Sequence, residues 1–243
     1  VGGGLARLHG ASRQARVMLA VGVAVYAVLQ LPRLVDLEDD VALRSSHFFS
    51  DTANWVVPGH VMQGRHPGSG RGSTLKRLTA IREEGQCGTF VCLQAELPPQ
   101  DSSPSFGGAM TWQYAPILGF ESYVQDATYA AFDPVSFVHF GINDMQPANE
   151  LDELEKFVEH LAARVLQGEV LYVHCWGGKG RAGLVCACLL GLLYPELDGK
   201  QALKRVQAYC SLRNQGIGVQ IKSPETAQQK QQVLDFYARR AGR

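Results

Sequence analysis

Hydrophobic positions along the chain fall into short runs separated by helical periods. Residues 169–173, Glu-Val-Leu-Tyr-Val, form a short apolar run rich in β-branched and aromatic side chains, the pattern of a buried strand. Residues 182–194 are almost wholly apolar, which predicts a helix buried on all sides. Further strands are expected near 56–64, where a Pro58-Gly59 turn breaks a pair, and at 89–93 and 137–142. Leu75, Leu78 and Ile81 space a helix that ends at Gly85. Leu151, Leu154, Phe157, Val158, Leu161 and Val165 space another, with Asn149 as its expected N-cap. Asp198 opens a helix carrying Leu203, Val206 and Tyr209. Ser223 and Pro224 are expected at the N-cap and first turn of the last one. Strands alternating with helices predict an α/β fold: a central, mostly parallel sheet with helices on both faces.

Two regions lack this regularity. Residues 96–108 are rich in Pro, Ser and Gly and read as a long surface loop. Residues 110–133 are aromatic without clear periodicity and are expected at the edge of a site. Gly68 to Ser73 reads as a solvated turn or a basic rim for an anionic substrate.

At the amino end, Arg7, Arg13 and Arg16 precede thirteen unbroken apolar residues, 17–29, and four acids follow at Asp36, Glu38, Asp39 and Asp40. Thirteen falls short of the ~20 a spanning helix needs, but extending the run to Val35 makes it just long enough. A targeting peptide, a membrane anchor and a helix packed on the domain are the open readings for 17–35. The chain opens on Val rather than Met, as expected of a fragment or a processed chain. The division expected is an N-terminal segment and linker, 1–51, and a catalytic domain, 52–243.

The 243 residues carry equal numbers of acids and bases, so bulk charge points to no nucleic-acid partner. Six cysteines show no metal-type spacing and read as reduced core residues. No metal or cofactor is implied.

The candidate chemistry lies between the strand at 169–173 and the buried helix, in His174-Cys175-Trp176-Gly177-Gly178-Lys179-Gly180-Arg181. Three glycines let successive N–H groups of Trp176, Gly177, Gly178, Lys179 and Gly180 turn inward at a helix start, which makes an anion-binding nest. A cysteine beside such a nest and a cation is a nucleophile suited to a phosphate ester. Arg181 supplies a planar fork for two phosphate oxygens. Cleavage also needs a proton for the leaving oxygen. Asp144, in Asp144-Met145-Gln146-Pro147 after the strand at 137–142, is the candidate acid, with Asp133 and Asp126 as substitutes.

His-Cys-x5-Arg resembles the signature of the cysteine-dependent protein tyrosine phosphatases, in their dual-specificity branch, over about residues 52–236. The opening Gly64-Arg65-His66-Pro67 is similar to that family's Gly-x-x-Pro, and Asp144-x-x-Pro147 to its acid loop. Pro224-Glu225-Thr226-x-x-Gln229 resembles a motif whose Gln orients hydrolytic water, which implies that role for Gln229; an exposed polar position is the alternative. The resemblance implies Cys175, Arg181 and Asp144 as catalytic, with His174, residues 176–180 and Gln229 at the substrate. It implies a phosphoprotein or phosphoinositide substrate and a reducing intracellular compartment. The chain departs from the pattern at Ala182, where the family carries Ser or Thr, which implies slower hydrolysis of a cysteinyl-phosphate or a phosphate-binding module with weak turnover. Lys179 is similar to the loop lysine of lipid phosphatases of the phosphatase-and-tensin-homologue type, whereas Trp176 differs from their lysine after the cysteine.

Overall fold

The structure is a computed structural model, and it describes residues 46–68, 73–97, 123–131, 133–213 and 222–242, all within the unit Leu34–Arg243. The expectations for residues 17–35, for most of the loops at 96–108 and 110–133, and for 69–72 lie outside the described residues.

Six strands form one sheet: β1 (Phe48–Ser50), β2 (Ala53–Val57), β3 (Val61–Arg65), β4 (Thr89–Gln94), β5 (Ser136–Ile142) and β6 (Leu171–Cys175). Their order is β1-β2-β3-β6-β4-β5. The first three are antiparallel, and β3, β6, β4 and β5 run parallel. The expected run at 56–64 is thus two strands, turned at Gly59 with φ of 75°. Pairing of β1 with β2 carries the sheet ahead of the boundary expected at residue 52.

The helices are α1 (Thr74–Thr79, continued by a π turn, Ala80–Glu84), α2 (Val124–Tyr129), α3 (Leu151–Leu166), α4 (Gly180–Leu193), α5 (Gly199–Cys210) and α6 (Ala227–Ala241). Alternation along the strands sends side chains to two cores. Val91, Leu93, Leu171, Val173 and Cys175 join a core with residues of α3, α4 and α6. Phe90, Cys92 and Tyr172 join the other, with Leu78 and Ile81 from the α1 region and Ala127 from α2. Helices therefore cover both faces, as the alternating pattern predicts.

α4 is buried along nearly its whole length, between the sheet and α3, α5 and α6. Each fully buried leucine in it contributes roughly 1.5–3 kcal/mol relative to exposure. That burial fixes the helix that carries Arg181.

Two helix starts differ from the expected ones. α3 begins after Glu150, not Asn149, because Gln232 takes both backbone groups of Ala148 at 2.8 Å and keeps the chain extended past Asn149. α6 begins after Thr226, which caps it in a reciprocal box with Gln229. The hydroxyl of Ser223 is engaged instead with the carbonyl of Lys179 at 3.0 Å. Asp198 does cap α5, with Gln201 completing the box.

Candidate active site

Ligand sites in open α/β sheets form beyond the carboxyl ends of the parallel strands. Here those ends are Arg65, Cys175, Gln94 and Ile142, brought side by side by register: Arg65 pairs with Cys175, and Gln94 with Ile142. The described residues that follow these ends, among them His66, Glu96, Asp144 and the loop after Cys175, gather there.

Cys175 ends β6 and is 3% exposed. The loop after it bends at Gly178, with φ of 65°. A Cβ there would lie 2.1 Å from the carbonyl carbon of Gly64 and 2.4 Å from the nitrogen of Arg65, so only glycine fits. The loop is tied to its neighbours by main-chain atoms. His66 N–H donates to the Trp176 carbonyl at 3.0 Å, and Gln63 Nε2 donates to the Gly178 carbonyl at 2.9 Å. The Gly180 N–H, first amide of α4, donates to Glu225 Oε2 at 3.0 Å. Trp176 is half exposed at the rim, and the stem of Lys179 curls back past Gly177.

Arg181 is 1% exposed and lies at the junction of three loops. Its Nη1 donates to Glu96 Oε2 at 2.6 Å and to the Ile142 carbonyl at 3.0 Å. Its Nη2 reaches Glu96 Oε1 at 3.0 Å and Asp144 Oδ1 at 2.9 Å. Burial opposes its charge, but the bond to Glu96 and the charges of Cys175, Glu96 and Asp144 outweigh that and raise its pKa further. Burial alone would raise the pKa of Glu96; the bond from Arg181 holds it below the usual carboxylate range. Asp144 is brought to Arg181, whereas Asp126 lies in the first turn of α2 and Asp133 is exposed beyond it, its carbonyl accepting from Arg82.

His174 is fully buried on the strand face opposite Cys175, where its Nε2 meets the hydroxyl of Tyr123 at 2.6 Å. Burial, reinforced by His66, pushes its pKa well down, so the ring is neutral. Its side chain braces β6 from behind. Burial likewise lowers His66 to about 3, and its Nδ1 accepts from the Gly68 N–H. Gln229 is fully buried, not on an exposed face. Its Oε1 accepts from the Glu225 and Thr226 N–H groups at 3.1 Å, and its Nε2 donates to the Gln146 carbonyl at 3.1 Å. That carboxamide ties α6 to the loop of Asp144. Ala182 is buried in the core.

Sequence reasoning missed Glu96, Tyr123, Glu225 and Arg213. Glu96 could have been found from its place just past the end of β4. A cavity of about 680 Å³ between Pro195, Lys200 and Tyr237 lies at the far end of α4 and does not belong to this site. Among the described residues no group of acids, histidines and cysteines could hold a metal ion. No described helix is long and apolar enough to cross a membrane.

The assembly joins a buried thiol, a glycine-rich loop at a helix start, a buried guanidinium and a half-exposed carboxyl, groups suited to attack, hold and protonate a phosphate ester; of the five loop N–H groups expected to face the anion, that of Gly180 is instead engaged by Glu225. Comparison with known proteins agrees. Residues 118–233 match the family model of PTP-SAK, described as "Swiss Army Knife protein, DSP-PTPase phosphatase domain". Over 119 residues the chain is 29% identical to "Putative tyrosine phosphatase 197R" of Invertebrate iridescent virus 6, a match covering 43% of this chain and 44% of the viral protein. The chain thus spans less than half the length of that relative. Among solved structures, kinase-associated phosphatase with its catalytic-site cysteine replaced by serine superposes with a TM-score of 0.54 at 16% identity, over 75% of this chain and 88% of that one. PTPMT1 in complex with PI(5)P superposes with a TM-score of 0.52 at 13% identity, over 78% and 97%. These two likenesses are of fold. Residues 118–233 thus match a dual-specificity-type phosphatase domain, and the fold around them is that of phosphatases of the same type, in keeping with the resemblance to the cysteine-dependent protein tyrosine phosphatases.

Proposed function

We propose that the chain hydrolyses phosphate monoesters on phosphotyrosine and phosphoserine or phosphothreonine in proteins through a cysteinyl-phosphate. The observation that carries this reading is the contact of Asp144 with Arg181 at 2.9 Å, which brings an acid loop to the cation that follows Cys175 in the loop. In the first step the Cys175 thiolate attacks phosphorus, the phosphorus–oxygen bond to the substrate breaks, and Asp144 gives its proton to the departing oxygen. Arg181 and the loop amides hold the three remaining oxygens and the charge they carry in the transition state. In the second step Asp144 takes a proton from water, the water oxygen bonds phosphorus, and the thiolate departs with inorganic phosphate released. Ala182 offers no hydroxyl to that departing thiolate, so the second step is expected to be slow.

A second reading rests on Lys179, whose ammonium adds a cation to the loop and suits a substrate with more than one phosphate, such as a phosphoinositide. Residues 17–35 would then hold the domain near a lipid surface. Phosphate release from phosphopeptides and from phosphoinositide vesicles, each against Cys175→Ser, separates the two. Release mainly from peptides supports the protein reading, and release mainly from lipid supports the other. Binding of phosphate without release from either would make the chain a phosphate-binding module.

A further inference from the structure

Arg213, just beyond α5, is 3% exposed. Its Nε donates to Asn54 Oδ1 at 2.8 Å, its Nη1 to the Gly178 carbonyl at 2.8 Å and its Nη2 to the Gln63 carbonyl at 2.6 Å. A longer contact of 3.5 Å reaches the Gly177 carbonyl. Every acceptor is neutral, and among the described residues none of its hydrogen-bond partners is a carboxylate. Buried cations are ordinarily paired, because an uncompensated charge in a poorly polarisable interior is costly. The position of this one is informative. It stands directly behind the anion loop, on the side away from solvent, and grips the carbonyl at the loop's left-handed residue.

Resting on the reading of residues 175–181 as a phosphate site, we infer that Arg213 is a positioning residue for that loop and that its missing counter-ion is the substrate phosphate. Carbonyl and N–H of one trans peptide point opposite ways. Holding the Gly178 carbonyl back toward Arg213 and Gln63 therefore turns the Lys179 N–H toward the concave side. The guanidinium charge, unneutralised by any described side chain, adds to the potential there. Arg82 supplies an internal comparison. It too is buried and bonded only to carbonyls, those of Cys87 and Asp133, but it lies at the amino ends of β4 and β5, across the sheet from the loop.

The test measures orthophosphate as a competitive inhibitor, with kcat and KM on an aryl phosphate, in the full chain. Arg213→Met should raise the inhibition constant by about ten-fold or more, with KM rising more than kcat falls, and Arg213→Lys should restore part of the loss by restoring charge. Asn54→Asp puts a carboxylate against the guanidinium without removing it. It gives up one bond, from Asn54 Nδ2 to the Trp55 carbonyl, which His47 also contacts. It should weaken phosphate binding in a protein that still folds, and it decides the matter if Arg213→Met does not fold. Arg82→Met should lower the melting temperature and leave the inhibition constant unchanged. Phosphate affinity within about two-fold of wild type in folded Arg213→Met or in Asn54→Asp would overturn the inference, since a neighbouring charge has then no effect on the anion. A wild-type chain that binds no phosphate would overturn the site itself, and the role of Arg213 with it.

Discussion

Glu96 holds both terminal nitrogens of Arg181, at 2.6 and 3.0 Å, from a position just past the end of β4. The pair fixes the guanidinium plane, with Asp144 and the Ile142 carbonyl as further acceptors on the same two terminal nitrogens. Glu96→Ala leaves a buried guanidinium short of one partner. It should cost roughly 1–3 kcal/mol of stability by urea unfolding and lower kcat/KM by about ten-fold or more. Wild-type kcat/KM in this variant would show that Arg181 is oriented without Glu96.

Asp144→Asn removes the proton donor and keeps the side chain's shape. Turnover of a phosphopeptide should fall by about 10²–10⁴, while an aryl phosphate with a good leaving group should lose far less. Equal losses on both substrates would assign the proton to another group. Because Asp144 is half exposed, the melting temperature should barely change.

Gly178→Ala should abolish phosphate binding in a folded chain, since its Cβ would meet the backbone of Gly64 and Arg65 at 2.1 and 2.4 Å. Gly59→Ala is the control: its φ is also positive, at 75°, but nothing lies within 4 Å. It should cost only the strain of the backbone, about 1–2 kcal/mol, and keep activity. Phosphate affinity equal to wild type in Gly178→Ala would mean the loop does not form the nest.

His66 and His174 set a pH dependence of stability. Both are neutral when folded, because burial lowers His66 to about 3 and His174 well below its ordinary value of 6.5. Above 6.5 each ring is neutral in both states, so neither contributes a slope. Below it the unfolded chain binds protons that the folded chain refuses, so stability falls as pH falls, by at most ~1.4 kcal/mol per unit for each ring. Glu96, with a folded pKa below its ordinary 4.5, adds its loss only as pH falls past that value. Urea midpoints should therefore decline between about pH 6.5 and 5, and a flat profile there would contradict the burial of neutral rings.

Much of this was legible in the chain. The run at 169–173, the unbroken apolar stretch after Ala182 and the glycines between them specify strand, loop and buried helix by local pattern alone. The place of Asp144 beside Arg181 was legible from the resemblance of Asp144-x-x-Pro147, after a strand, to the family's acid loop. The helix starts at 149–150 and 223–226 were not, because they are decided by Gln232 and Lys179, which are remote in sequence. Arg213 was invisible for the same reason, and Glu96 had only its place past the end of β4 to mark it. Each is an isolated charged residue whose partner is set by which loop it meets, which local periodicity does not record.

The central claim is the cysteinyl-phosphate, and the most direct measurement is rapid acid quench of the chain during turnover of an aryl phosphate, followed by peptide mapping. Phosphate should be found bonded to Cys175, accumulating because Ala182 slows its hydrolysis, and absent from Cys175→Ser. Turnover with no phosphorylated Cys175 at any quench time, or turnover retained in Cys175→Ser, would contradict it.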